Sequence, residues 1–229
     1  MLRHSVIWLL RDTTTPTLRT EMLAGLAYLR MECLMVRSGD YGADLFGGSQ
    51  SGDRQPRIGR PVWRHGADGP PSNYDVALHL DFDDWETYRR YSPDPAHVAA
   101  SKFNGAVSWD ELTARVDWYY DGEPPTRRGH VKHVAMFVWA DGVSEQAKQH
   151  ALDAVRGLTD APGVEAVTVG HNAGQLMSDY DWIMDLQLPD RPATERLLGG
   201  THYLRAMEAV AAATKYEWTA RLSHLMRGP

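Results

Sequence analysis

The alternation of apolar and polar residues predicts the same succession of elements in each half of the chain. In the first half we expect a strand over residues 4–10, a helix over about 16–31, strands over 33–37 and 74–82, helices over about 84–91 and 94–105, and a closing strand over 114–120. In the second half we expect a strand over 131–139, a helix from about 144, strands over 164–170 and 180–188, helices over about 192–198 and 201–213, and a last strand over 216–224. Both halves therefore follow the order β-α-β-β-α-β.

The two halves also repeat each other residue by residue. Residues 3–12 (RHSVIWLLRD) are echoed by 132–141 (KHVAMFVWAD), and residues 74–80 (YDVALHL) are echoed by 180–186 (YDWIMDL). The first two segments are 129 residues apart (132 − 3), whereas the second two are 106 residues apart (180 − 74). The first half therefore contains an insertion that the second half lacks. A tandem of two units of roughly 100 residues determines how the core is built.

The order β-α-β-β-α-β is typical of a ferredoxin-like unit, in which helices cover one face of a four-stranded antiparallel sheet. The other face needs a partner sheet, and two units in one chain can supply it to each other. We therefore predict an α+β fold in which two ferredoxin-like units pack sheet to sheet as an intramolecular dimeric α/β barrel. The expected domains are residues 1–120, a linker at 121–129 and residues 130–229.

The insertion in the first unit is assigned to residues 38–73 and is expected to be a loop. It is rich in glycine and proline and has few aliphatic residues outside Val62 and the adjacent Trp63. Long loops without secondary structure of their own tend to be lids or binding loops. We expect this loop to border a pocket in the first unit, with Trp63 as its anchor.

Composition narrows the class of partner. The net charge of −6 and the pI near 5.9 disfavour binding to nucleic acid or to an anionic membrane surface. The longest apolar runs are too short to span a membrane, and the apolar stretch after His4 is too short for a signal peptide. The single cysteine, Cys33, excludes an internal disulfide and fits a reducing compartment, so we expect a cytoplasmic protein.

Three motifs in the first half, partly repeated in the second, carry a resemblance to a known family. They are Arg3-His4-x-Val6-x-Trp8, the strand YDVAL at 74–78, and Tyr91-x5-His97 within the segment that ends DPAHV at 94–98. In these motifs the chain resembles the stress-responsive dimeric α/β-barrel (Dabb) domains, most of which pair two identical subunits into a barrel. The resemblance implies that this chain is a fused version of such a dimer, with the possibility of a further homodimer left open.

The best-understood enzymes of that family are plant polyketide cyclases of the olivetolic acid type, in which a Tyr and a His frame a pocket between sheet and helices. The resemblance places this pair at Tyr91 and His97, with His4 and Trp109 beside it. In the second half it places a His at His202, but Arg196 stands where the Tyr would be. The resemblance therefore implies an active pocket in the first unit that works without a cofactor.

The residue types suit acid–base chemistry at a carbonyl compound. His97 lies in the first turn of a predicted helix, where the positive end of the helix dipole keeps an imidazole neutral and able to act as a general base. The Tyr91 hydroxyl could donate a hydrogen bond to an enolate oxygen. The expected substrate-binding residues are His4, Trp8, Trp63, Val76, Leu78, Leu80 and Trp109. The plainer alternative is that His97 bonds the backbone at a helix start, Tyr91 is core, and His4 is a hydrogen-bonded histidine of the core.

No metal site is expected from spacing along the chain. His130 and His133 are three residues apart on a predicted strand and would point to opposite faces. Asp81, Asp83 and Asp84 form a carboxylate cluster that we assign to a solvated turn and a helix cap.

Three functions remain open from the sequence. The first is a cofactor-independent cyclase or lyase acting on a small carbonyl-bearing or polyketide-like molecule. The second is a ligand-binding or stress-response barrel without catalysis. The third is a cofactor-independent monooxygenase of similar fold.

Overall fold

Two four-stranded antiparallel sheets form the centre of the molecule in a computed structural model. The structure describes residues 1–47, 72–121, 126–175 and 180–227, and the backbone of two short strands at 55–57 and 60–62. The strands are β1 Leu2–Trp8, β2 Ser38–Ala43, β3 Gln55–Arg57, β4 Arg60–Val62, β5 Val76–Phe82, β6 Ala114–Tyr119, β7 Val131–Phe137, β8 Ala166–His171, β9 Trp182–Leu188 and β10 Ala220–Leu225. The helices are α1 Pro16–Glu32, α2 Trp85–Tyr91, α3 Pro95–Val107, α4 Glu145–Arg156, α5 Arg191–Leu198 and α6 Thr201–Ala213.

The two sheets are built alike. The first has the order β2-β5-β1-β6 and the second has the order β10-β7-β9-β8, so the repeated opening strands β1 and β7 occupy equivalent central positions. All pairings of these strands are antiparallel. The predicted α+β fold of two ferredoxin-like units is confirmed.

The sheets meet at both edges and close a barrel. At one edge β2 runs beside β10, where Tyr41 and Arg227 exchange backbone hydrogen bonds and Leu45 N–H donates to the Ser223 carbonyl at 2.8 Å. At the other edge β6 approaches β8, and Ala173 N–H donates to the Asp117 carbonyl at 2.6 Å. The described edge strands of the first sheet, β2 and β6, are therefore each covered by an edge strand of the second sheet, β10 and β8.

Strand alternation divides the apolar residues into three cores. Val6 and Trp8 of β1 face α1–α3, whereas Ile7 faces the barrel interior with Val134 and Met136 of the second unit. A third core lies between the second sheet and α4–α6. Each sheet is thus covered on one face by the helices of its own unit and on the other face by the sheet of the other unit.

The second strand does not lie where the sequence predicts it. Residues 33–37 form a turn after α1, and the strand is Ser38–Ala43, within the segment assigned to a loop. Its composition hid it, because a side chain at Gly39 would collide with β5 and one at Gly42 with β10. The residue between them that faces the barrel, Asp40, is charged, so no apolar alternation marks the strand.

The barrel interior contains a buried ionic cluster that the sequence does not predict. Arg3 forms a bidentate ion pair with Asp81, at 2.7 and 2.8 Å, and Lys132 bridges Asp40 and Asp185 at 2.9 and 3.0 Å. All five side chains are fully buried.

The assignment of Asp81 to a solvated turn is therefore wrong, since it faces the barrel. Asp83 pairs with Arg37 at the surface, and Asp84 caps α2 by accepting from Thr87 N–H. Among the residues that the structure describes, no helix is long and apolar enough to cross a membrane.

Candidate active site

A small cavity opens between the first sheet and α3. Its walls carry polar groups from β1, α2 and α3 and apolar groups from β1, α1 and β5, and the volume is about 50 Å³. The lining residues are His4, Val6, Trp8, Leu29, Leu78, Tyr91, His97, Ala100, Ser101, Asn104, Asp110 and Arg115. Five of the residues singled out from the sequence, His4, Trp8, Leu78, Tyr91 and His97, therefore share one cavity.

His97 is held as a neutral imidazole with one nitrogen free. Its Nδ1–H donates to the Ser92 carbonyl at 2.7 Å, so the lone pair of the neutral ring lies on Nε2. Burial lowers the pKa of His97 below its ordinary value, and this effect outweighs the hydrogen bond to Ser92, which raises it. A neutral ring with a free Nε2 has the protonation state that a general base needs.

Tyr91 lies against His97 and remains a hydrogen-bond donor. The two ring centroids are 4.4 Å apart, and Tyr91 is 1% exposed. Burial raises the pKa of the Tyr91 hydroxyl, which therefore keeps its proton at neutral pH. α2 ends at Tyr91 and α3 begins at Pro95 after the capping residue Asp94, so this short turn sets the distance between the two side chains.

A carboxylate that the sequence analysis missed orients His4. Asp117 faces His4 directly across β1 and β6, and His4 Nδ1 lies 2.6 Å from Asp117 Oδ1. Because a carboxylate accepts this bond, Nδ1 carries the proton and the Nε2 of the neutral ring is left with its lone pair. The pairing of two residues more than a hundred positions apart follows from strand register.

Tyr88 contacts His4 and also lines a larger surface groove. Its hydroxyl lies 3.4 Å from His4 Nδ1, and its ring stacks on Trp85 with centroids 4.9 Å apart. The groove has a volume of about 310 Å³ and is lined by Trp85, Tyr88, Arg89, Ser92, Pro93 and Gln175.

The equivalent place in the second unit is closed. His133 occupies the position of His4, but its cross-strand neighbour is Ser223, whose hydroxyl lies 2.8 Å from His133 Nδ1. The other nitrogen, Nε2, lies 2.9 Å from the Tyr203 hydroxyl. Both ring nitrogens are therefore occupied, and His133 is fully buried.

The helix caps show which residues of the second unit correspond to Tyr91 and His97. Asp94 caps α3 and Gly200 stands at the same place before α6, so the third residue after each cap is His97 in one unit and Tyr203 in the other. His202, which the resemblance matches to His97, is exposed. By the same count, three residues before each cap, Leu197 rather than Arg196 corresponds to Tyr91.

The remaining predicted pocket residues do not line the cavity. Trp109 packs against the barrel interior, with the Arg11 guanidinium 4.7 Å above its ring. Val76 and Leu80 are fully buried in the core beneath the helices. Trp63 and the rest of the expected lid at 48–71 lie outside the described residues, except for the backbone of β3 and β4.

A larger depression of about 800 Å³ lies at the N-terminal end of α1. The described part of its wall includes Arg11, Arg19 and Arg227 but none of the histidines or of the tyrosines Tyr88 and Tyr91. The smaller cavity, by contrast, is lined by His4, His97 and Tyr91.

Cys33 is a buried thiol of low reactivity that lies beside Asp94, the capping residue of α3. Its thiol is buried and free, and the Sγ lies 3.4 Å from Asp94 Oδ1. Burial, followed by the hydrogen bond to Asp94, raises the pKa of Cys33 to about 12. A thiol with such a pKa is a poor nucleophile.

Solved structures of other proteins resemble the whole chain. An anthrone oxidase-like protein superposes with a TM-score of 0.65 and 14% identity, over 100% of this chain and 92% of the other. A Fusobacterium nucleatum protein provisionally assigned as a monooxygenase gives a TM-score of 0.55 and 10% identity, over 99% and 92% of the two chains. This chain shares their fold.

A third protein, from Lactobacillus acidophilus and also provisionally assigned as a monooxygenase, gives a TM-score of 0.51 and 11% identity, over 99% of this chain and 93% of the other. Comparison of the sequence with protein-family models and with curated proteins gives no match. At these identities the likeness concerns the fold, and the chemistry must be argued from the cavity.

Proposed function

We propose that this protein is a cofactor-independent enzyme that removes a proton from a small carbonyl-bearing molecule in the cavity of the first unit. The observation that carries the proposal is the contrast between the two units. In the first, His4 is oriented by Asp117 and faces a cavity with His97, whereas in the second the equivalent His133 is closed off by Ser223 and Tyr203. A barrel that served only for stability would have no need for this difference.

The side chains divide the acid–base work. His97 Nε2 accepts the proton from the carbon beside the substrate carbonyl, and the electron pair of that bond moves onto the carbonyl oxygen. The Tyr91 hydroxyl donates a hydrogen bond to the enolate oxygen that forms. His4 is the second acid–base group, because Asp117 stabilises positive charge on its ring and Nε2 can return a proton to the product.

Two outcomes can follow the same deprotonation. In a cyclase or lyase, as the resemblance to Dabb polyketide cyclases implies, the enolate carbon attacks a second carbonyl of the substrate or expels a leaving group. In a monooxygenase, the carbanion of an anthrone-like substrate transfers electrons to dioxygen. One oxygen atom then remains in the product as a carbonyl and the other leaves as water.

The monooxygenase is the second candidate, and the fold comparisons are what favour it. Three proteins that match nearly the whole chain are described as anthrone oxidase-like or as monooxygenases. Neither outcome calls for a cofactor in this proposal, because the base, the hydrogen-bond donor and the second imidazole all come from the chain.

The size of the cavity sets a condition on substrate entry. A volume of about 50 Å³ holds one or two water molecules, each of which takes about 30 Å³ in the liquid. A ring-containing substrate is larger than this space, and we propose that it also occupies the groove lined by Trp85 and Tyr88, whose volume is about 310 Å³. We expect the reacting carbon to enter the cavity while the rest of the substrate lies on Trp85.

The test is a turnover screen with β-ketoacyl compounds and anthrones, in air and without oxygen, followed by chromatography and an oxygen electrode. His97→Ala should reduce the rate by roughly 10²–10⁴-fold if the ring is the base, and Tyr91→Phe should keep the fold and lose much of the rate. His202→Ala is the control, since this histidine of the second unit is exposed and its replacement should leave the rate unchanged.

Each outcome of the screen decides between functions. Oxygen consumption with product formation favours the monooxygenase, and turnover without oxygen favours the cyclase or lyase. Saturable ligand binding without turnover would support a non-catalytic binding protein and contradict the proposal. Normal turnover by both His97→Ala and Tyr91→Phe would show that the acid–base assignment is wrong.

A further inference from the structure

Three potential metal ligands converge in the barrel interior, on the opposite side of the first sheet from the cavity. Asp40 lies on β2, His79 on β5 and His224 on β10, and all three are fully buried. One ligand atom of each residue lies within 4.8 Å of the ligand atoms of the other two. The group stands at the junction of β2 and β10, where the two units meet.

Each of these ligand atoms lacks a hydrogen-bond partner. Asp40 Oδ1, His79 Nε2 and His224 Nε2 are buried and make no hydrogen bond within the part of the chain that the structure describes. Buried polar atoms are paired in the great majority of cases, and leaving one unpaired costs about 1–3 kcal/mol. Three unpaired atoms that face one another indicate a shared binding partner.

The contacts of the two Nδ1 atoms indicate which nitrogen of each ring keeps its lone pair. His224 Nδ1 lies 3.3 Å from the Leu225 carbonyl, which can only accept, so the lone pair of the neutral ring is on Nε2. His79 Nδ1 lies 2.9 Å from Ser5 Oγ, which also accepts from Trp118 Nε1–H and has a second lone pair for His79 Nδ1–H. His224 Nε2 and Asp40 Oδ1 therefore face each other at 3.4 Å as two acceptors.

Among the described residues, carboxylates outnumber cations in the ionic cluster beside this group. The ionic cluster of the barrel holds two cations, Arg3 and Lys132, against three carboxylates, Asp40, Asp81 and Asp185. With both histidines neutral, these five described side chains carry one net negative charge in a buried space. Burying an unbalanced charge is costly unless a counter-charge is close.

We propose that Asp40 Oδ1, His79 Nε2 and His224 Nε2 bind one divalent transition-metal ion, with Zn²⁺ the best fit. Two imidazoles and one carboxylate are a recurrent ligand set for Zn²⁺ and for non-haem iron. A tetrahedral ion with ligand bonds of about 2.1 Å places its ligands about 3.4 Å apart, which is the separation of His224 Nε2 and Asp40 Oδ1. The other two separations are at most 4.8 Å.

The second carboxylate oxygen of Asp40 supports this arrangement. Asp40 Oδ2 accepts from Thr126 Oγ1 at 2.7 Å and from Lys132 Nζ at 2.9 Å, so Oδ1 alone is left for the ion. Hydrogen bonds of this kind, together with those from His79 and His224, orient the ligands of metal sites. The role is structural, because the ion would fasten β2 and β5 of the first unit to β10 of the second.

The experiment measures metal content and stability together. The full chain is unfolded in urea with a chelator, refolded with Zn²⁺ or Co²⁺, desalted and analysed by elemental mass spectrometry. We expect about one metal ion per chain, visible d–d absorption of the Co²⁺ form, and a higher melting temperature for the metal-loaded protein. His79→Gln and His224→Gln should lose the metal.

His133→Gln is the matched control, since His133 is a fully buried strand histidine whose two nitrogens are both hydrogen-bonded within the protein. It should keep the metal. A refolded wild-type chain with a metal content below about a tenth would overturn the proposal and indicate that a water molecule or a proton joins the three atoms. Equal loss of metal from a His133→Gln chain whose circular dichroism shows that it is folded would overturn it too. Because the wild-type measurement decides by itself, variants that fail to fold leave the test intact.

Discussion

His133, one of the buried histidines of the second unit, should make the protein sensitive to mild acid. Desolvation, aided by the charge of Arg221, lowers the pKa of His133 to about 3 in the folded protein. In the unfolded chain the same ring has an ordinary pKa near 6.5. Between these two values the unfolded state binds a proton that the folded state refuses, so the stability due to the neutral ring is complete above about pH 6.5 and is lost as the pH falls towards 3.

The size of the effect follows from the two pKa values. Over the interval from pH 6 to pH 5, a group that titrates only in the unfolded state lowers the free energy of unfolding by about 1 kcal/mol. Other buried groups add their own pH dependence, so wild type alone would not isolate His133. The substitution His133→Gln removes this titration and retains polar groups that can reach Ser223 and Tyr203.

The assay is urea unfolding of wild type and His133→Gln at pH 7, 6 and 5, followed by circular dichroism. The variant should be less stable at pH 7, and the difference between the two proteins should shrink by about 1 kcal/mol from pH 6 to pH 5. Parallel pH dependences would refute the reasoning, because they would mean that the ring either titrates normally in the folded protein or becomes exposed before unfolding.

Three further predictions follow from the fold and the cavity. Gly170→Ala should lower the free energy of unfolding by about 1–3 kcal/mol in urea titrations, because the new methyl group would overlap the buried Trp118 ring, whereas Gly157→Ala, with no atom nearby, should change it little. Asp81→Ala should cost about 3–5 kcal/mol in the same assay, because it leaves the buried arginine of β1 without its bidentate partner. With any substrate found in the screen, the acidic limb of the kcat/KM profile should fall at a pKa below 6.5, since burial lowers the pKa of His97, and a limb above 7 would contradict this.

The sequence by itself determined the repeated architecture. The apolar alternation of β1 and β7 and the helix caps at Thr15, Asp84 and Asp94 are local, so they could be recognised without the fold. The resemblance carried by the first unit directed attention to Tyr91 and His97, which do meet in one cavity. These features depend on residues that are close together in sequence, so they can be recognised from the sequence alone.

Tertiary structure decided which polar residues meet. β2 was missed because its glycines and Asp40 fit surfaces supplied by β5 and β10, and nothing local distinguishes such a strand from a loop. The pairing of His4 with Asp117, and of Asp40 with His79 and His224, depends on strand register and on closure of the barrel. The sequence offered one sign of the role of Asp117. This residue lies between Val116 and Trp118, so strand alternation places its carboxylate on the helix-facing side of β6. These charged residues are far apart in sequence and come together only when the sheets form. Their pairing is then necessary because a buried charge without a partner is costly.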